Sequence, residues 1–124
     1  IMNKKMLNSK LLSLMLAGFM IVAGCQTAPK PLYQWESYQP QVYEYFKGEP
    51  KEQQVEALER DLQKINASGR SAPPGYHAHL GMLYLSMGKD DQMVQQFRTE
   101  KALFPESGPY MDFLLKNAKA GDIK

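Results

Sequence analysis

Prolines and glycines divide this chain into short stretches, and within each stretch apolar residues return at helical spacing and never in strict alternation. The breaks fall at Pro40, at Gly48 and Pro50, from Gly69 to Gly75 through Pro73 and Pro74, at Gly88, and from Pro105 to Pro109. Nothing supports strands, because alternation is absent and β-branched residues are too few for a sheet. Only short helices packed side by side can bury the apolar residues of such a chain, so the fold class is all-α.

Each stretch carries its own helix signals. Pro40 suits the start of a short helix through Val42, Tyr43, Tyr45 and Phe46, with Gly48 as its stop. After Pro50, Val55, Leu58, Leu62 and Ile65 fall at i, i+3, i+7 and i+10 on one face, while Glu52, Glu56, Arg60 and Lys64 occupy the others. The residues from Tyr76 to Met87 are apolar nearly all round, which marks a central, buried helix. Asp90 and Asp91 favour the start of the next helix through its dipole, and that helix runs to Phe104. A last helix over 109–117 turns Met111, Leu114 and Leu115 inward.

From His77 to Pro105 the spacing resembles a tetratricopeptide repeat, whose pattern reads W-x₂-L-G-x₂-Y, then A-x₃-F, then P. Here it reads His77-x₂-Leu80-Gly81-x₂-Tyr84, Met93-x₃-Phe97 and Pro105. Gly81 admits a close neighbour, Tyr84 and Phe97 fill the space between two helices, and Pro105 ends the second. Three positions depart from the pattern: His77 stands for an aromatic, Met93 for a small residue, and Glu100 occupies a slot usually kept small. One repeat cannot bury its own faces, so the flanking helices must act as degenerate neighbours in an array of about four to five helices. A plain helical hairpin bundle is the alternative.

The N-terminal region has a different grammar. Lys4, Lys5 and Lys10 precede an apolar run from Leu11 to Val22, too short to span a bilayer but suited to a secretory signal that begins at Met2. The run ends in Val22-Ala23-Gly24-Cys25, which resembles the lipobox of bacterial lipoproteins. That resemblance implies cleavage after Gly24, acylation of the Cys25 thiol and anchoring by two or three fatty chains. Gln26 rather than aspartate follows, which implies the periplasmic side of the outer membrane. With the signal go three of the fifteen basic residues and none of the thirteen acidic ones, so the charge of +2 falls to −1. Nucleic acid is excluded as a partner on that balance, and membrane attachment must come from lipid.

Residues 1–24 thus read as a cleaved signal, 25–40 as a lipidated tether, 41–118 as the helical domain and 119–124 as a fraying tail. The tether is not of linker composition, because Tyr33, Trp35 and Tyr38 carry apolar area that must dock on something. On the tetratricopeptide resemblance, Ala78, Met82 and Leu85 line a concave apolar surface that takes either this segment or a partner. Glu100, if buried, needs a partner, and His77 is the candidate for an ion pair, with His79, Arg70 and Lys64 as alternatives.

No catalytic constellation is present. His77 and His79 point about 200° apart on a helix, which rules against a shared metal, and neither a G-x-S-x-G elbow nor a glycine-rich phosphate loop occurs. No cofactor is expected. Leu32-Tyr33-x-Trp35-x₂-Tyr38, Pro73-Pro74-Gly75 with Ala78-x-Leu80-Gly81-x-Leu83-Tyr84 and Gly88, and Glu100-Lys101-x-Leu103-Phe104-Pro105-Glu106-Ser107 with Met111 are together similar to an uncharacterised family of small proteobacterial lipoproteins classed only as a domain of unknown function. Its members resemble components encoded beside a lipoprotein similar to the curli secretion channel. The resemblance implies an envelope assembly in which this chain is a protein-binding adaptor or stabilising subunit. A small-ligand module in the same groove is the alternative within binding, and an enzyme of unassignable site the alternative outside it.

Overall fold

The computed structural model describes residues 3–6, 8, 9, 12 and 28–120, with the side chains of 119 and 120 left aside. The chain falls into two compact units, Ile1–Lys30 and Pro31–Lys124. In the first, residues 4–6, 8, 9 and 12 are helical, and Cys25, the expected lipid attachment site, lies outside the described residues. No helix among the described residues is long and apolar enough to cross a membrane.

The second unit is all-α. It contains α1 (Tyr38–Lys47), α2 (Lys51–Ala67), α3 (Tyr76–Ser86), α4 (Asp90–Leu103), a 3₁₀ turn (Pro105–Ser107) and α5 (Gly108–Ala120). Each helix packs on the next along the chain, and α3 with α4 makes the most extensive contact. Among the described residues there is no strand; a single parallel bridge joins Tyr33 to Ser71.

Helix α3 lies at the centre, as its all-round apolarity requires: Tyr76, Leu80, Leu83, Tyr84 and Leu85 are all buried. Val55, Leu58 and Ile65 of α2 close over one side, and Leu62 of the same stripe is half-buried. Met93 and Phe97 of α4 and Met111 and Leu114 of α5 complete the core. A Cβ built on Gly81 would lie 2.5 Å from Phe97 Cε1, far inside van der Waals contact. The absent side chain is therefore what lets α4 seat its phenyl ring against the α3 backbone.

Two helix boundaries differ from those read in the sequence. Helix α1 begins at Tyr38, ahead of Pro40, so Pro40 falls within the first turn. Its missing N–H matters little there, because the first four amides of a helix have no carbonyl partner within it. Gly108 opens α5 with helical angles (φ −49°, ψ −53°) and does not break the chain, and the helix continues through Ala120. Of the tail expected over 119–124, residues 121–124 lie outside the described residues.

Candidate interaction surfaces

The segment before α1 is laid against the helical unit. Gln34 N donates to Ser71 O at 3.0 Å, Ser68 Oγ donates to Gln34 Oε1 at 2.6 Å, and the Tyr33 ring meets Phe104 edge-on with centroids 5.9 Å apart. The next residues turn sharply. Glu36 adopts φ +42°, a left-handed conformation that costs a β-carbon-bearing residue about 1 kcal/mol.

Asp61, buried on α2, holds that turn. Its Oδ2 accepts from Ser37 N at 3.0 Å and from Ser37 Oγ, while Lys64 Nζ lies 3.3 Å from Oδ1. Burial pushes the Asp61 carboxyl up, but the bonds from Ser37 and Lys64 outweigh it and leave its pKa lowered. The sequence gives no hint of this contact, since Asp61 lies among charges that read as one solvated helix face.

Tyr38 and Trp35 then part company. The Tyr38 ring stacks obliquely on Tyr76, centroids 5.2 Å apart, and its hydroxyl sits over Gly75. A Cβ at Gly75 would stand 2.9 Å from Tyr38 Oη, and φ there is +91°, so glycine is required twice over. Trp35 leans on Tyr38 at 6.1 Å yet keeps 43% of its surface exposed. The Tyr76 hydroxyl donates to Leu58 O at 2.6 Å, tying α3 to α2 beneath these rings.

Glu100 is 2% exposed, yet among the described residues it pairs with no cation. Its Oε1 accepts from Gly75 N at 2.6 Å and its Oε2 from Ala78 N at 3.2 Å, so the carboxylate of α4 caps the N-terminus of α3. The expected Glu100–His77 ion pair is thereby corrected. His77 Nδ1 is bonded instead to Gln96 Oε1 at 2.7 Å. The physical reason is local: Gly75, the residue preceding α3, has no side chain with which to cap the free amides, and a charge at a helix N-terminus satisfies both needs at once.

His79 lies edge-on to Tyr45, centroids 5.3 Å apart, and to Tyr38 at 6.1 Å. Its buried Nε2 has no hydrogen-bond partner among the described residues, and desolvation lowers its pKa from 6.5. Tyr84 Oη donates to Glu59 Oε1, and burial first, then that carboxylate, raises the phenol's pKa. No group of three or more His, Cys, Asp or Glu among the described residues is placed to hold a metal ion.

The apolar groove expected of Ala78, Met82 and Leu85 is not open. Leu85 is buried in the core, and Ala78 and Met82 are half-buried against it, so Leu85 cannot serve as a partner contact. Exposed aromatics lie elsewhere. Tyr43 and Phe46 on α1 are 64% and 80% exposed, and Tyr110 and Phe113 on α5 are 60% and 54% exposed. Each pair is spaced i, i+3 on one face, and the rings of Tyr110 and Phe113 stack with centroids 6.4 Å apart. The sequence already places both pairs on the first and last helices, but only the packing shows that these four rings are left exposed.

A third surface lies between α2 and α4, where a cleft of about 350 Å³ opens over Leu62, Leu80 and Tyr84. Side-chain amides of both helices flank it.

No curated protein and no solved structure matches the chain. A family model covers residues 32–114, from the docked aromatic segment to α5, and with it the chain belongs to the family described as Domain of unknown function (DUF4810).

Proposed function

We propose that the chain is a lipid-anchored protein of the cell envelope that faces the periplasm from the outer membrane. It binds other envelope lipoproteins as an adaptor or stabilising subunit and performs no catalysis of its own. The observation that carries this reading is the pair of exposed aromatic faces on the terminal helices, Tyr43 with Phe46 and Tyr110 with Phe113. A helical array that ends in solvent turns polar faces outward at both ends, because each helix otherwise relies on a neighbour for burial. Here both ends carry rings, the composition of partner contacts rather than of solvated caps. The Val22-Ala23-Gly24-Cys25 sequence supports the lipid anchor and the address.

Site-specific photocrosslinking tests the reading. A benzophenone side chain is placed at Phe46 or Phe113, with Glu56 on the solvated face of α2 as control, and crosslinked products are identified from native envelopes. A defined envelope protein joined at position 46 or 113 and not at 56 is the expected result. Identical patterns at all three positions, or none, would overturn it.

A further inference from the structure

We infer that the cleft between α2 and α4 takes a short, extended stretch of polypeptide without acidic side chains, through its main chain. This goes beyond the adaptor reading, since it requires neither the Cys25 anchor nor the terminal aromatic faces. Gln63 and Asn66 line one wall and Gln92, Gln95 and Gln96 the other, so five of the nine lining residues carry side-chain amides. Each amide offers both a donor and an acceptor, which is what a peptide group also offers and seeks.

The rest of the lining narrows the ligand class. No cation among the described residues lines the cleft, so an anionic ligand finds no counter-charge there; its one carboxylate, Glu59, accepts from the Tyr84 hydroxyl through Oε1. The Tyr84 ring is buried, which leaves no aromatic face on which a sugar ring could stack. Leu62 remains partly open on the floor, beside Leu80. An extended strand turns alternate side chains to opposite faces, so it can set one apolar side chain on that floor while its amides meet the walls.

Length agrees with this. Glu59 to Asn66 marks the α2 wall, and seven residues of helix span about 10 Å, the reach of about three extended residues. Gln96 Oε1 is engaged by His77, so that residue offers its NH₂ group alone, to a main-chain carbonyl. The side-chain amides of Gln63, Asn66, Gln92 and Gln95 make no hydrogen bond within the protein among the described residues; the bond at Gln95 runs from Thr99 Oγ1 to its main-chain oxygen.

The test selects random dodecapeptides on phage against the full chain, with Gln63→Glu/Gln95→Glu as the counter-target. Both positions are exposed and the change is isosteric, so circular dichroism should show an unchanged fold. Selected peptides should bind the wild type and lose about tenfold or more on the double variant, as two lost hydrogen bonds require. N-methylation of the central peptide bonds should weaken them as much. Failure to enrich any sequence that distinguishes the two proteins, insensitivity to N-methylation, or chitotriose binding in the cleft where peptides do not would each overturn the inference.

Discussion

Glu100→Ala removes the one carboxylate that closes the N-terminus of the central helix. Two amides, Gly75 N at 2.6 Å and Ala78 N at 3.2 Å, lose their acceptor, in a site where Glu100 itself is 2% exposed. Each orphaned donor costs about 1–3 kcal/mol when water cannot replace the partner, and both amides here are only half-buried, which places each near the lower end. Loss of a negative charge from a helix N-terminus adds about 0.3–1 kcal/mol, so the total is about 2–4 kcal/mol. In a domain of this size, 1 kcal/mol moves the melting temperature by about 4–8 °C, and the variant should melt at least about 8 °C below the wild type. Glu100→Gln, which keeps one acceptor oxygen, should fall between the two. Thermal unfolding followed by circular dichroism at 222 nm reads both changes. A Glu100→Ala variant that melts within about 2 °C of the wild type would refute the capping role.

Other consequences are equally direct. Gly81→Ala brings a methyl against Phe97 and should destabilise by about 1–3 kcal/mol in urea denaturation, with Phe97→Leu restoring part of the loss; equal stability would mean that α3 and α4 are not so close. His79 has a folded-state pKa below its unfolded value of 6.5, so its neutral form is the one the fold accepts. Stability should therefore be full above pH 6.5 and decline as pH falls below it, and His79→Gln should abolish that slope between pH 7.5 and 5.5. The lowered pKa of Asp61 acts in a more acidic window: its stabilisation is present above the unfolded value of 3.8 and is lost as pH drops through the folded one, a loss that Asp61→Asn should remove. Trp35, the single tryptophan, should be quenched by acrylamide at a rate between those of a free and a buried indole, and Tyr38→Ala should raise that rate; free quenching in the wild type would mean that the segment is not docked.

The sequence carries the helices because proline, glycine and apolar period are local signals, and α3 and α4 depart from their expected ends by no more than a residue. It also marks Gly81 against Phe97, since a glycine inside an apolar helix needs a packing reason. Glu100 stands out as a charge in a small slot, but its partners do not: backbone amides have no letter in a sequence, and a search among side chains finds His77 instead. The cue was present in Pro73-Pro74-Gly75, a helix entry with no side chain able to cap it. Asp61 and the α2–α4 cleft are less accessible still. Their residues lie on polar helix faces that read as solvated, and only the placing of α2 beside the segment at Ser37, and across from Gln92 to Gln96, gives them a role. The groove at Ala78, Met82 and Leu85 fails for the opposite reason, because a helix that is apolar all round has no face left over for a partner.

The proposed address and partners depend on the chemical state of one thiol. Intact-mass and N-terminal peptide analysis of the protein extracted from native envelopes, with Cys25→Ser alongside, measures that state. The account predicts a chain that begins at Cys25, carries the mass of two or three fatty acyl groups and moves to the soluble fraction in the serine variant. An unmodified thiol on a freely soluble wild-type chain would contradict it.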